Sequence, residues 1–170
     1  MEKIIKNTKF PWASEHMKND IIIIKLKSPL KFNDKVQPAC LPDVASFVKA
    51  QANKQMAVLS GWGGLKDQGD TPNLLQFLPL PIFPNGKCGG MYDGAFGDSM
   101  FCAGYAAGGK DPCQGDSGGP LVMPKSSSDD TAVIVGAVSH GMGKCGEKGA
   151  PAIYARVTKY LDWIKANMER

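Results

Sequence analysis

The chain has 170 residues, 43% of them hydrophobic and 21% charged, with a formal net charge of +4. That suits one good-sized globular domain or two small ones, and it is not the composition of a disordered or fibrous chain. The basic excess is scattered without a run, which argues against a nucleic-acid-binding stripe, and no apolar stretch approaches the ~20 residues that span a bilayer.

The first residues, Met1-Glu2-Lys3-Ile4-Ile5-Lys6, lack the apolar segment and small-residue cleavage site of a signal peptide. Residues 21–26 form a run rich in β-branched residues between Asn19-Asp20 and Ser28-Pro29, which predicts a buried strand. Residues 57–59 predict a second strand, running into a turn at Gly61-Trp62-Gly63-Gly64. Residues 74–82 carry Pro79 and Pro81, so a strand there belongs near an edge or a bulge. Leu121-Val122, residues 132–138 and residues 152–157 predict three more strands, separated by loops rich in Gly, Asp, Pro and Ser. Only the tail reads as a helix, with Val157, Tyr160, Leu161 and Ile164 on one face and no breaker before Arg170. Many short strands and one C-terminal helix predict an all-β barrel or sandwich.

The five cysteines are Cys40, Cys88, Cys102, Cys113 and Cys145. None forms a C-x-x-C pair, so a zinc knuckle is not expected, and neither a metal nor a cofactor site is expected elsewhere. The odd number leaves one thiol free or bonded outside the chain.

The densest signal is Asp111-Pro112-Cys113-Gln114-Gly115-Asp116-Ser117-Gly118-Gly119-Pro120. A serine flanked by glycines can be approached closely, and bare backbone N–H groups beside it can hold an oxyanion. Gly115-Asp116-Ser117-Gly118-Gly119 also fits the G-x-S-x-G elbow of α/β-hydrolases, but that elbow needs a strand before the serine and a helix after it. Here Pro120 and a strand-like Leu121-Val122 follow, so the elbow fails on context.

With these ten residues the chain resembles the chymotrypsin/trypsin family of serine proteases. The likeness extends in order through Asn19-Asp20-Ile21, Gln37-Pro38-Ala39-Cys40-Leu41-Pro42, Ser60-Gly61-Trp62-Gly63, Met100-Phe101-Cys102-Ala103-Gly104, Ser139-His140-Gly141, Pro151-Ala152-Ile153-Tyr154 and Trp163-Ile164. It implies a trypsin-like double β-barrel with a C-terminal helix and an incomplete first barrel. Residues 1–48 would then be a remnant of the first barrel with its connection, 49–158 the second barrel and 159–170 the helix.

By the same resemblance Ser117 matches the nucleophile, Asp20 the carboxylate that orients the catalytic imidazole, and the N–H groups of Gly115 and Ser117 the oxyanion hole. Asp111 matches the floor of the primary specificity pocket, where a buried carboxylate invites a substrate Arg or Lys. Ser139, His140, Gly141 and Ala152 match the walls of the substrate cleft. Pro112 and Ala152 replace smaller or more flexible residues of the family, which implies a narrowed basic pocket. His140 replaces an aromatic residue and is expected to line a neighbouring subsite rather than to act as a substitute base. His16, four residues before Asp20, is expected in an exposed loop.

The resemblance further implies disulfides Cys88–Cys102 and Cys113–Cys145, with Ala57 and Met123 standing where another family bridge would be. Such bridges imply an oxidising, extracellular compartment. Cys40 would bond to an upstream segment, and the partners would otherwise be protein or peptide substrates, with no nucleic acid and no membrane. The family's catalytic histidine and its Ile-Val-Gly-Gly-like activation terminus are not among these residues, so the chain is expected to be N-terminally truncated and inactive alone. A non-catalytic homologue that acts by binding is the alternative.

Overall fold

A computed structural model describes residues 1–8, 17–92, 96–126 and 128–168. Among these residues eight strands form two sheets. β1 (Lys3–Lys6) and β2 (Ile22–Lys25) pair antiparallel, with Lys3 opposite Lys25 and Lys6 opposite Ile22. The other six are β3 (Met56–Gly61), β4 (Gln76–Pro81), β5 (Met100–Cys102), β6 (Pro120–Ser126), β7 (Asp129–His140) and β8 (Ile153–Arg156). They lie in the order β4-β3-β6-β7-β8-β5.

The two ends of this larger sheet meet. Ile82 and Ala103, each one residue beyond an end strand, form an antiparallel bridge. Phe83 N donates to Cys102 O at 2.9 Å and Gly104 N donates to Pro81 O at 3.1 Å, so the sheet closes on itself. Closure satisfies the edge groups that an open sheet would leave bare. β4 is an end strand of the ladder, as Pro79 and Pro81 require, since neither can donate to a neighbour on its far side.

Leu59, Leu80, Phe101, Leu121 and Tyr154 fill the interior, all at most 3% exposed. Phe101 stacks on Tyr154 with centroids 5.4 Å apart and meets Phe47 edge-on at 5.0 Å. Ala57 and Met123, where a bridge was expected to be missing, both belong to this core. They flank the pair Val58–Val122 of the β3–β6 register, so apolar core side chains stand in the place of a covalent bridge.

Three features differ from the sequence expectation. The run 21–26 contains the strand β2, but Ile22, Ile24 and Leu26 are 46%, 52% and 47% exposed. Among the described residues β2 pairs with β1 alone, and no second layer packs on it. Second, the tail helix is not the sole helix. α1 (Val44–Ala52) starts at Asp43, whose Oδ2 accepts from Ser46 N at 2.7 Å, and it buries Phe47, Ala50 and Gln51. That backbone hydrogen bond also holds the exposed Asp43 carboxyl below its usual range. α2 (Asn85–Met91) carries Gly86, Gly89 and Gly90, so its propensity is poor. It is held instead by Cys88, joined to Cys102 of β5. Third, the tail divides into a 3₁₀ turn (Val157–Lys159) and α3 (Leu161–Met168).

Candidate active site

The loop 111–120 is fastened to β7 by a reciprocal pair of backbone bonds. Gly118 N donates to Val138 O at 2.8 Å, and Val138 N donates to Gly119 O at 3.0 Å. This brings Ser117 beside Ser139 and His140, at the end of β7. Gly115 and Gly118 have φ of +99° and +78°, backbone that a side chain would strain, and they turn the chain so that Ser117 is exposed. Among the described residues, neither the Gly115 nor the Ser117 N–H donates a hydrogen bond to the protein. Two free donors flanking an exposed hydroxyl can receive a developing oxyanion.

Asp116 holds the loop from below. Its Oδ1 accepts from Gly63 N at 2.9 Å and its Oδ2 from Cys113 N at 3.0 Å. A Cβ built on Gly61 or Gly63 would collide with this carboxylate. The glycine turn noticed in the sequence is therefore a seat for Asp116, a role that its composition did not disclose.

Asp111 lies at the junction of two cavities. One, of ≈ 220 Å³, is also lined by Pro112, Ser117, Ser139, His140, Gly141 and Ala152. The other, of ≈ 190 Å³, has Leu59, Leu65, Phe77 and Leu78 on its wall together with Asp116. Each Asp111 oxygen accepts one backbone N–H, Oδ1 from Ala152 at 3.2 Å and Oδ2 from Gly146 at 3.1 Å. No described cation forms an ion pair with it. Burial outweighs these two bonds and raises its pKa above 3.8. The same carboxylate, after burial, helps push the Tyr92 hydroxyl up to about 12. The Tyr154 hydroxyl, buried nearby, has no hydrogen-bond partner among the described residues. Sequence gave no sign of Tyr92's place there.

Asp20 reaches the site from the segment just before β2. Its Oδ2 accepts from Ser139 Oγ at 2.7 Å, and the same Oγ is 3.0 Å from His140 Nδ1. Burial depresses the His140 pKa below 6.5, with Asp20 opposing. Ser117 Oγ has no hydrogen bond to an imidazole among the described residues. His16 lies outside the described residues. Asp20, Ser117, Ser139, His140, Gly141, Ala152 and Asp111 thus converge on one region, although they span most of the chain.

The two disulfides are Cys88–Cys102 and Cys113–Cys145, and the second ties the loop before Ser117 to the far wall of the cleft. Cys40 is free among the described cysteines and half-buried; its N donates to Ala132 O at 2.8 Å and its O accepts from Ile134 N at 3.0 Å. No described helix is long and apolar enough to cross a membrane.

A family model described as Trypsin matches residues 1–164. Trypsin-2 of Salmo salar is 41% identical over 157 residues, 92% of this chain and 62% of that protein. Trypsin-1 of Astacus astacus is 40% identical over 169 residues, 98% of this chain and 66% of the relative. Transmembrane protease serine 11G of Mus musculus is 41% identical over 157 residues, 91% of this chain and 36% of the relative. The chain therefore spans about a third to two thirds of the length of the relatives it matches.

Proposed function

This chain belongs to the trypsin family, and from that premise we propose that it carries the nucleophile and specificity pocket of a serine endopeptidase cutting after Arg or Lys. Ser117 Oγ attacks the scissile carbonyl, and the Gly115 and Ser117 N–H groups take the oxyanion. Asp20 orients the imidazole that removes the serine proton. Asp111 receives the substrate cation in the cavity it shares with Ser117, with Ala152 and Pro112 narrowing the approach. Asp116, seated on Gly61 and Gly63, keeps the two oxyanion donors in place. The cavity beside Asp116, which Asp111 also lines, is where a newly cut N-terminus would meet this carboxylate, as the resemblance implies.

The observation that carries this reading is one cavity holding an exposed serine with two free N–H neighbours and a half-buried carboxylate without a cation among the described residues. We assign the catalytic imidazole to neither His16 nor His140 and expect this chain by itself to be nearly inert. Loss of the base from a comparable triad costs on the order of a millionfold in turnover. The substrates are proteins or peptides, the compartment is extracellular, and Cys40 is available for a bridge to another segment. Benzamidine, an aryl amidinium, should bind the chain and lose that binding in Asp111→Ala. A fluorophosphonate should label Ser117 slowly. Absence of amidinium binding sinks the pocket assignment, and rapid labelling sinks the assignment of the base.

A further inference from the structure

The contacts at the end of β7 fix the positions of two protons. In the 2.7 Å contact Ser139 Oγ donates to Asp20 Oδ2, so the hydrogen between them is the hydroxyl's own. Once that hydrogen is committed, Ser139 Oγ can only accept from His140 Nδ1, 3.0 Å away. The imidazole is therefore the Nδ1–H tautomer, and in the neutral ring Nε2 is a bare acceptor. No described residue donates to Nε2, and His140 lines the cavity that holds Asp111 and Ser117. A half-buried acceptor without a donor, in a cleft that already recognises a cation, is a second point of recognition. An aromatic side chain, which the family resemblance places here, offers no such acceptor.

We propose that His140 is a specificity-determining residue that selects peptides whose side chain next to the basic residue carries a hydrogen-bond donor, an amide or hydroxyl, over an apolar side chain of the same shape. Asp20 and Ser139 are the positioning residues that hold the ring in the accepting tautomer. The proposal rests on the cation pocket at Asp111 and adds to it the identity of the neighbouring side chain. The gain expected from one such neutral hydrogen bond is about five- to tenfold in affinity.

The test uses this chain and two peptides ending in agmatine, which bear the guanidinium without a scissile bond and differ only in Gln against Met at the adjoining position. Titration calorimetry should give the Gln ligand the tighter binding, with the ratio falling to about one in His140→Phe and partly retained in His140→Gln. Long-range ¹⁵N–¹H correlation on the free chain should show His140 protonated at Nδ1, and Ser139→Ala should shift it towards Nε2–H. Equal affinities for the two ligands, or a resident Nε2–H tautomer in the wild type, overturn the proposal while benzamidine binding leaves the Asp111 pocket standing. If neither ligand nor benzamidine binds, the pocket falls and this inference with it.

Discussion

Ser139 and Asp20, separated by 119 positions in the chain, are joined by a 2.7 Å hydrogen bond in which the serine hydroxyl donates to the carboxylate. It ties the segment just before β2 to the end of β7, across the two sheets. Ser139→Ala removes it and leaves a part-buried carboxylate with fewer donors. The expected loss is about 1–2 kcal/mol, since bonds to charged groups exceed the neutral average. Thermal unfolding of the variant should show a Tm lower by about 2–8 °C. An unchanged Tm would mean that the bond is made equally well to water.

Gly63→Ala should be far more damaging than its size suggests. Its methyl meets the Asp116 carboxylate, which must leave the Gly63 and Cys113 N–H groups. A destabilisation of about 2–3 kcal/mol is expected, with loss of the Ser117 loop geometry. Gly86→Ala in α2 is the control, because nothing lies within 4 Å of the added Cβ. It should stabilise by about 0.5–1 kcal/mol. Urea unfolding of both variants separates a crowded carboxylate from a general intolerance of glycine replacement.

Benzamidine affinity should depend on pH through Asp111. Burial raises the carboxyl pKa above 3.8, despite donors from Gly146 and Ala152 that lower it. The folded group therefore takes up its proton before an ordinary aspartate does as the pH falls, and amidinium binding should weaken with a midpoint above 3.8. At neutral pH, Asp111→Ala should cost about a hundredfold or more in affinity. Fluorescence titration with p-aminobenzamidine measures both, and a midpoint at or below 3.8 would contradict the desolvation account.

Arg156, the last residue of β8 and 6% exposed, ties the closed sheet to the helices beside it. Its Nε and Nη2 donate to Met100 O at 3.0 and 2.7 Å, its Nη1 donates to Gln51 at 3.4 Å, and its Nη2 also reaches Asn85. The guanidinium lies 5.5 Å from the Phe47 ring centroid. Arg156→Met keeps much of the volume but strands acceptors on β5, α1 and α2 together. Calorimetry should show a loss of roughly 2–4 kcal/mol, seen as a Tm lower by about 5–15 °C. Arg156→Lys should recover little, because one ammonium cannot span three directions.

Several elements were legible because they depend on neighbours in the chain. Pro79 and Pro81 marked an end strand, and β6, β7 and β8 grew from short apolar runs bounded by turn residues. α1 was missed because its buried stripe is only Phe47, Ala50 and Gln51, too short to show a helical period. α2 was missed because a glycine-rich segment becomes helical here through its bond to β5 and its packing, which local propensity does not contain. The exposure of Ile22 and Ile24 could not be foreseen either, since β-branched runs look the same whether or not a second layer covers them.

Sequence alone settled the chemistry available: one serine among glycines, the acids Asp20, Asp111 and Asp116, and four cysteines whose family pairing the fold reproduces. These are choices of side chain, written residue by residue. Tertiary structure alone decided which groups share hydrogens: that Asp116 sits on Gly63, that Asp111 is held by Gly146 and Ala152, and that Asp20 reaches His140 through Ser139. A hydrogen bond depends on ångström separations between distant segments, and only closure of the sheet brings those segments within reach.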